Sequence, residues 1–496
     1  MKRANEWAIR HLAHRLPEMR RLRMGTAAHT VVGWGGTVTM RGVPHNFVWL
    51  SLARRLAWLI LLCAFAPIAY GFGLDELSMP RGQGADVPVR AADLDVLFHD
   101  MEYIDFEHEL HTAQLSRSER LYFQGLLDSI KNRPSASIVK LRRVLPALAA
   151  ANSRRAATAL EVISNDYWVQ YQYADVCSAE SELLGHYSSE LNIRERQDAE
   201  AVVRTCEVLR SVPKQYASVP RNFSVALREN ARKETEVPVT IGDKTEWFVF
   251  DTGMSTPVIT ESAARGLGLD VLSAVGAAYG YCGNVLDIRF AVIPALSIGK
   301  ARFRNVLTAV IADSGLPQAV AGVAASDQAG GLGFSVIRAF KSFTVEKERV
   351  IINAPVSHDS GTTGLYLVGN QPMVEGEVND HHILLVLDSG AADLVLTEKY
   401  LRVDPSGMYS QPPTTNDLSQ YGGTCKIVYD TLKRATFRVG AEVGALNNVE
   451  VLVAPVGDPF RDGVYGTLGR NMLEQFSSYT VDIHGMKFSV REPVAK

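Results

Sequence analysis

The sequence lacks the features of disulfide-rich, collagen-like and strongly basic proteins. It contains only five cysteines in 496 residues, and its 39 glycines and 21 prolines follow no collagen-like repeat. Positive charge is not in excess, because 51 lysines and arginines face 54 aspartates and glutamates, for a net charge of −3. A chain without a bulk positive field needs a local basic motif to bind nucleic acid, and none is present. We therefore expect no nucleic-acid partner.

The rest of the composition is that of an ordinary globular protein. Apolar residues make up 47% of the chain and charged residues 21%, which excludes wholesale disorder and a coiled-coil rod. At roughly 150 residues per domain, the length predicts about three domains. We therefore expect a folded, multidomain protein.

The N-terminal region has the pattern of a targeting segment. Two positive charges, Arg54 and Arg55, precede an apolar run at 56–69 and a Gly-containing exit at 70–73. This order is typical of a secretory signal. The run is shorter than the roughly 20 residues of a transmembrane helix, and a membrane anchor or a buried helix is the alternative. We expect an exported protein, periplasmic or secreted, with no stable membrane span after signal removal.

Export would place the cysteines in an oxidising compartment. Without Cys63, which lies in the signal, four cysteines remain, an even number that suits disulfide bonds. Four cysteines allow three pairings, and the pattern alone does not select one. We predict a Cys177–Cys206 bond, because both residues lie in one helical region. Cys282 and Cys425 form the weaker second candidate pair.

The chain from about 93 to 212 is predicted to be helical. Apolar residues recur at helical spacing from Leu94 to Phe106, and another run begins at Pro134. Further helices are predicted at 156–173 and 199–209. Short helices joined by polar turns resemble tetratricopeptide-like hairpins. No clean period of about 34 residues is present, so a plain helical bundle is the alternative.

Beyond residue 236 the pattern changes to short β-strands, and the chain repeats itself. Apolar strands end in Asp-Thr-Gly at 251–253 and in Asp-Ser-Gly at 388–390, so the two aspartates are 137 positions apart. Leu-Gly pairs at 332–333 and 468–469 are 136 positions apart. Between these points the offset widens to 141 and then 143 before it returns. This drift is typical of a duplication with loop insertions.

A strand that ends in Asp-Thr/Ser-Gly delivers a carboxylate on a tight turn. The glycine lets another segment come close, and the hydroxyl residue can hydrogen-bond its surroundings. One such turn is a weak signal, but two duplicated turns can face each other. Two carboxyl groups about 3 Å apart share one proton. The ionised group can then act as general base toward water, while the protonated group polarises a carbonyl.

These paired motifs resemble the retropepsin-type halves of aspartic proteases, here fused in one chain. Residues 236–354 and 371–493 each look like one half. The segment Leu-Gly-Arg-Asn-Met-Leu at 468–473 is similar to the retroviral-protease pattern hydrophobic-Gly-Arg-Asn-hydrophobic-Leu, and its counterpart at 332–337 is looser. The resemblance implies an all-β bilobal fold with pseudo-two-fold symmetry, which follows an N-terminal all-α region of helical hairpins.

The resemblance also implies roles for the residues of both turns. Asp251 and Asp388 correspond to the catalytic dyad. The residues that support the turns are Thr252, Gly253, Ser389 and Gly390. Met254 occupies a position where the family prefers a small residue. Ser255 is a candidate to support the carboxylate of the first turn, whereas the second turn is followed by two alanines and lacks such a polar residue. The alternative is a degenerate pair that keeps the fold without catalysis.

Family members close the cleft with β-hairpin flaps between the catalytic turn and the Leu-Gly element. Gly-rich segments occupy this interval in both copies, and the candidate flap residues are Tyr279, Gly280, Tyr421 and Gly422. An ordinary Gly-rich surface turn is the alternative for each. If both segments are flaps, Cys282 and Cys425 could meet at the flap tips.

The predicted boundaries follow the changes of pattern along the chain. The N-terminal extension and signal cover 1–73, and linkers are expected at 74–92, 213–235 and 355–370. The helical domain covers 93–212, and the two lobes cover 236–354 and 371–493.

The sequence thus predicts an exported, monomeric aspartic endopeptidase. Such an enzyme acts on a peptide or protein substrate and needs no metal or other cofactor. The helical domain is expected to bind the substrate or a protein partner. The alternative is a non-catalytic exported protein that holds extended peptides in a protease-like cleft, which an Asp-to-hydrophobic change in either turn would have favoured.

Overall fold

The computed structural model describes residues 89–279, 285–313, 330–356, 361–405, 407, 409, 412–420 and 423–493. These residues all lie in one compact unit, Arg81–Lys496. The predicted signal segment lies outside them. Within the described ranges, no helix is both long enough and apolar enough to cross a membrane.

Residues 89–212, which the structure describes completely, form seven helices. Their bounds are α1 (Ala91–His99), α2 (Tyr103–Thr112), α3 (Arg117–Ile130), α4 (Pro134–Ala151), α5 (Ser153–Trp168), α6 (Tyr173–Tyr187) and α7 (Ile193–Leu209). Capping explains several of the starts. Ser116 and Glu119 form a capping box at α3, as Asn192 and Glu195 do at α7. Pro134 is the first residue of α4, where its missing N–H is not needed.

Two runs that the apolar spacing predicts as continuous helices are each divided in two. Met101 and Tyr171 adopt left-handed backbone conformations, with φ of 59° and 60°. At both breaks the N–H of the following residue bonds a carbonyl five positions earlier, which closes a helix end. The apolar period continues across both breaks, and this is why the spacing did not reveal them. The tetratricopeptide-like assignment stays a prediction.

The remainder of the described chain is mostly β-structure with short helices. The first strands are β1 (Tyr216–Ser218), β2 (Phe223–Ala226), β3 (Arg228–Glu229), β4 (Thr235–Ile241), β5 (Lys244–Phe250), β6 (Val258–Thr260), β7 (Val271–Tyr279), β8 (Val285–Ile298), β9 (Ala301–Ile311), β10 (Gly330–Leu332), β11 (Ser342–Glu346) and β12 (Arg349–Ile352). The later strands are β13 (Thr363–Val368), β14 (Gln371–Val378), β15 (His381–Leu387), β16 (Val395–Leu396), β17 (Thr414–Gln420), β18 (Gly423–Val439), β19 (Glu442–Leu452), β20 (Gly466–Leu468), β21 (Phe476–Asp482) and β22 (Lys487–Pro493). The short helices are α8 (Glu261–Gly266), α9 (Phe334–Ile337), α10 (Glu398–Val403), α11 (Pro459–Gly463) and α12 (Arg470–Leu473).

Each half of the β-structure closes into a six-stranded barrel. In the first half the strand order is β4-β5-β10-β6-β9-β8, and β8 pairs with β4 to complete the ring. In the second half the order is β14-β15-β20-β16-β19-β18, and β18 pairs with β14. The two rings use equivalent strands in the same order. The bilobal fold class predicted from the sequence is therefore confirmed.

The sheet that joins the two lobes has the order β2-β12-β11-β21-β22-β13, and it is continuous with the second barrel because β13 also pairs with β14. At its centre β11 and β21 run antiparallel, and Thr344 is paired with Thr480. Their hydroxyl groups lie 2.8 Å apart, and the two residues are 136 positions apart in the chain. This is the offset of the duplication, so equivalent residues meet each other. The pseudo-two-fold axis therefore passes through this pair.

The two lobes have the same backbone conformation at the corresponding positions that are 141 and 143 residues apart in the sequence. Gly299 and Gly440 both have left-handed φ angles, of 53° and 60°, and so do Asn305 and Asn448, at 56° and 58°. Glycine and asparagine are the residues that adopt this conformation most readily. The sequence correspondences at offsets of 141 and 143 thus reflect equivalent turns in the two lobes.

Two stretches expected as linkers contribute strands. The 213–235 stretch contains β1, β2 and β3, and β2 forms one edge of the inter-lobe sheet. The 355–370 stretch contains β13, at the other end of that sheet. Prolines in the first stretch, and a proline with three glycines in the second, masked the short strands, whose partners are distant in sequence.

The helices pack against both lobes. Tyr366, Met373 and Val386 of the second lobe belong to the same hydrophobic cluster as buried residues from each of α1 to α7. A second cluster joins Tyr173 and Leu209 to strands β8 and β9 of the first lobe. The helical region is therefore part of the support of both lobes rather than a detached module.

The predicted Cys177–Cys206 disulfide is confirmed. It joins α6 to α7, and both cysteines are buried. The second predicted pair lies partly outside the described residues, because Cys282 does. Cys425, on β18, is itself disulfide-bonded.

We predict that replacing both Cys177 and Cys206 by alanine lowers the free energy of unfolding by about 3 to 4 kcal/mol, because a cross-link that closes a loop of this length restricts the unfolded chain. The sequence separation of the two residues is 29. The measurement is denaturant unfolding under oxidising conditions, with the exposed Ser178→Ala on the same helix as control. Loss of less than about 1 kcal/mol would contradict the prediction.

Candidate active site

Each aspartate directly follows a barrel strand that ends in apolar residues. Asp251 follows β5 and Asp388 follows β15. β5 lies parallel to β10, and β15 lies parallel to β20, so each aspartate turn lies beside a Leu-Gly element. The N–H of Asp251 bonds the carbonyl of Leu332 at 3.3 Å, and that of Asp388 bonds Leu468 at 3.1 Å. The strand pairing thus fixes where each turn begins.

The short helix after each Leu-Gly element holds the far side of the turn. In the first lobe the N–H of Phe334 bonds the carbonyl of Met254 at 2.6 Å. In the second lobe the N–H groups of Arg470 and Asn471 bond the carbonyls of Ala391 and Ala392, both at 3.0 Å. A side chain on Gly469 would overlap the backbone of Asp393. The glycine of each Leu-Gly pair therefore allows the two backbones to approach.

The two turns are joined by four hydrogen bonds that cross between the lobes. The hydroxyl of Ser389 accepts from the N–H of Thr252 at 3.0 Å and donates to the carbonyl of Phe250 at 2.7 Å. In return, the hydroxyl of Thr252 accepts from the N–H of Ser389 at 2.9 Å and donates to the carbonyl of Leu387 at 2.8 Å. Both hydroxyl residues are buried. The arrangement is reciprocal, so neither turn can shift without breaking bonds of both.

The carboxyl groups face each other across this arrangement. Oδ1 of Asp251 accepts from the N–H groups of Gly253 and Met254, at 2.9 and 3.0 Å. Oδ1 of Asp388 accepts from Gly390 and Ala391, at 3.0 and 2.9 Å. A Cβ atom on Gly253 would overlap the carboxyl of Asp388, and one on Gly390 would overlap that of Asp251. Only glycine fits at either position.

The environment of the pair favours a shared proton. Burial raises the pKa of Asp251 well above its ordinary value of 3.8, and the negative charge of Asp388 raises it further. The N–H bonds from Gly253 and Met254 act in the opposite direction but are outweighed. Two buried carboxyl groups in contact cannot both ionise easily. Burial and the contact between the two groups therefore favour a state in which the pair holds one proton and one negative charge.

The departures from the family pattern are accommodated locally. The side chain of Met254 packs against Gly331, where any side chain would collide with its sulfur and methyl group. The hydroxyl of Ser255, a candidate support for the Asp251 carboxyl, instead accepts a hydrogen bond at 2.7 Å from Nε2 of Gln371. The same nitrogen donates to the carbonyl of Gly253 at 3.0 Å. Gln371 of the second lobe thus supports the first turn.

Sequence reasoning missed two residues of this site, Gln371 and Arg461. Nη2 of Arg461, on α11, lies 3.5 Å from Oδ2 of Asp388. Nothing in the duplicated pattern marks either residue, because neither lies in the repeated motifs. The contact between Arg461 and a carboxyl of the pair arises only when α11 folds beside β20.

Of the candidate flap residues, the structure describes Tyr279, which is the last residue of β7. β7 and β8 pair from Val271↔Ala291 to Tyr279↔Val285, and β17 and β18 pair up to Gln420↔Gly423. Gly280, Tyr421 and Gly422 lie outside the described residues. The structure thus describes the hairpin strands that flank both candidate flaps, and the flap role stays a prediction.

The first lobe is similar to a known protein family. Residues 237–336 match the family described as aspartyl protease, a range that includes the Asp251 turn. No curated protein matches the chain. One matching solved structure is that of a retropepsin-like aspartic protease from Rickettsia conorii, with 20% identity over 28% of this chain and 92% of that chain, at a TM-score of 0.19. With the paired barrels and crossed turns, the family match confirms the retropepsin-like fold predicted from the sequence.

We predict that Thr252→Val destabilises the protein by about 2 to 3 kcal/mol, because the change leaves the N–H of Ser389 and the carbonyl of Leu387 buried without their partner. Valine keeps the shape of threonine, so the measurement isolates the hydroxyl. Thr245→Val is the matched control, since its hydroxyl bond to Thr240 is exposed. Equal effects of the two changes on denaturant unfolding would contradict the prediction.

We also predict that Asp251→Asn stabilises the folded protein at neutral pH. A carboxyl with a raised folded-state pKa contributes stability below its unfolded pKa and loses it as the pH rises through the folded value. The unfolding free energy of the native protein should therefore fall relative to that of Asp251→Asn as the pH rises above 3.8, the ordinary value. Chemical unfolding between about pH 3.5 and 7.5 measures this.

The control for this measurement is Asp243→Asn, an exposed carboxyl in the turn between β4 and β5. Its unfolding free energy should run parallel to that of the native protein at every pH. A parallel curve for Asp251→Asn as well would show that burial does not hold a proton on the pair.

Proposed function

We propose that this protein is an aspartic endopeptidase whose catalytic dyad is Asp251 and Asp388. The observation that carries the proposal is the pair of carboxyl groups, each bonded by two backbone N–H groups of its own turn and held against the other by the Thr252–Ser389 bonds. A pre-organised pair of this kind supplies a base and an acid at one place. The retropepsin-like fold and the family match support the same reaction class.

The chemistry follows from the single shared proton. The ionised carboxylate takes a proton from a water molecule, whose oxygen attacks the carbonyl carbon of the peptide. The protonated carboxyl donates its proton to the carbonyl oxygen, which gives a neutral tetrahedral diol. Collapse of the diol breaks the C–N bond, as the nitrogen receives a proton from the dyad and a diol hydroxyl returns one. The products are an amine and a carboxylic acid, and the dyad again holds one proton.

The substrate class follows from the same proposal. The enzyme would act on an extended segment of a peptide or protein that enters between the lobes, beneath the hairpins β7-β8 and β17-β18. We further propose that the protein is exported and monomeric and that the helical domain binds substrate or a partner. The Cys177–Cys206 disulfide suits an oxidising compartment, which supports the export part of the proposal.

The test is cleavage of a peptide library by the purified protein and by Asp251→Asn and Asp388→Asn. Each variant should lose at least about a thousandfold in kcat/KM, because a catalytic unit loses nearly everything when one member is removed. A statine-type inhibitor should abolish cleavage, and a metal chelator should leave it unchanged. Mass spectrometry of the products gives both the rate and the cleavage site.

Asp243→Asn is again the matched control and should cleave at the native rate. Either dyad variant cleaving near the native rate would show that the two aspartates do not act as one unit. Peptides that bind to the native protein but are never cleaved, from about pH 3 to 8, would contradict the proposal and favour a peptide-binding protein on this fold.

A further inference from the structure

The two carboxyl groups have equivalent backbone partners but different neighbours. Each Oδ1 accepts from two N–H groups of its own turn. Oδ2 of Asp388, in addition, lies 3.5 Å from Nη2 of Arg461, and both side chains are largely buried, with 12% and 14% of their area exposed. The duplication therefore gives the pair its symmetry, and Arg461 removes that symmetry.

The Arg461 guanidinium is held in place rather than free to rotate. Its Nη1 donates to the hydroxyl of Thr467 at 2.8 Å. Thr467 is buried on β20 and is paired with Val386 of β15, two residues before Asp388. The strand that positions Asp388 is thus paired with the strand whose threonine orients Arg461.

The geometry points to Arg461 as a positioning residue that favours the negative charge on Asp388 and leaves the shared proton on Asp251. A fixed positive charge within about 4 Å of a buried carboxyl stabilises its ionised form. The inference rests on the proposed function, in which Asp388 would then act as base toward water and Asp251 as acid toward the carbonyl.

Other charged groups near α11 do not replace this contact. Arg470 is directed to the backbone, since its Nη1 donates to the carbonyl of Gly390 at 3.1 Å. The carboxyl of Asp462 accepts from the N–H groups of Val456 and Gly457. Asp458 caps α11 through the N–H of Phe460. Burial raises the pKa of Asp458, and the charge of Arg461 partly offsets that effect.

One further titratable group, Tyr479, lies beside the second turn. Burial raises the pKa of Tyr479, so its hydroxyl stays neutral in the range where carboxyl groups titrate. Thr467 and Ser389 do not ionise. Asp458, where the charge of Arg461 partly offsets the effect of burial on the pKa, is therefore a nearby titratable group that competes for this charge and that can contribute to a pH profile.

The helical region supports the segment that carries Arg461. Glu102, between α1 and α2, accepts a hydrogen bond at 2.8 Å from the hydroxyl of Tyr465 and pairs at 2.8 Å with Lys399. Lys399 also donates to the carbonyl of Gly463, the last residue of α11, at 3.1 Å. Phe460 of α11 packs into the hydrophobic cluster of the helices. The position of Arg461 therefore depends on the turn between α1 and α2.

The test compares pH–rate profiles of the native protein, Arg461→Gln and Arg461→Lys on one peptide substrate. The acid limb is the part of the profile in which the rate falls as the pH decreases. Without the positive charge, Asp388 should be protonated more readily, so the acid limb of Arg461→Gln should shift to higher pH by about one unit. Arg461→Lys keeps the charge and should keep the limb near its native position. The matched control is Arg402→Gln, an exposed arginine of the same lobe that pairs with Glu398, and its profile should be native.

A structural role of Arg461 would give a different result. If the residue only ties α11 to Thr467, both substitutions lower kcat or stability while the acid limb stays in place, and the inference is wrong. The same holds if Arg461→Lys shifts the limb as far as Arg461→Gln does. The variant Asp458→Asn removes the competing carboxyl. The shift of the acid limb caused by Arg461→Gln should persist in that background.

A second readout does not depend on catalysis. If Arg461 favours negative charge on the pair, folded Arg461→Gln holds its protons to higher pH than the folded native protein does. Its unfolding free energy should then fall relative to the native value as the pH rises through the carboxyl range. Parallel curves overturn the inference. A protein that cleaves nothing but shows this divergence contradicts the proposed function and leaves the role of Arg461 intact.

The support from the helices is tested with Glu102→Ala. Loss of the contacts to Tyr465 and Lys399 should loosen α11 and move the acid limb in the same direction as Arg461→Gln, by a smaller amount. Asp105→Ala, an exposed charge on α2, is the control for long-range electrostatics and should leave the limb unchanged. An unchanged limb in Glu102→Ala would overturn the dependence of Arg461 on the helical region.

Discussion

The site depends on the four hydrogen bonds that Thr252 and Ser389 exchange across the lobe boundary. Each hydroxyl both accepts and donates, and each is buried, so water cannot replace a lost partner. These bonds hold two carboxyl groups in a contact where two negative charges would repel each other. The turns and barrels around the pair supply the free energy that keeps the two groups together.

The duplication explains how one chain builds such a site. Equivalent barrels place equivalent turns at the same depth, and the Thr344–Thr480 pair marks the axis that relates them. A symmetric pair would share its proton equally. Arg461 occupies a position beside only one carboxyl, so the asymmetry comes from a segment outside the repeated motifs. The duplication thus accounts for the equivalent positions of the two carboxyl groups, and in our proposal Arg461 determines which of them carries the negative charge.

The helical region contributes to both halves of the site. In the first lobe the hydroxyl of Tyr171 donates to the carbonyl of Ser335, beneath the Asp251 turn, at 2.6 Å. In the second lobe Glu102 holds Tyr465, next to the strand that carries Thr467. Both contacts come from residues at or beside helix breaks, Tyr171 and Met101, whose left-handed backbones the apolar spacing did not indicate. The breaks therefore place polar groups against the lobes.

The sequence by itself determined the fold class, the duplication and the two aspartate turns, because these depend on local strand patterns and on glycines that tolerate close approach. It also indicated the Cys177–Cys206 bond through proximity within one helical region. It did not indicate Gln371 or Arg461, nor the strands at 216–229. Their partners lie far away in the chain, and no local period records such contacts. Only the tertiary structure decided which charge stands beside which carboxyl, since that contact forms when α11 packs between the helices and β20.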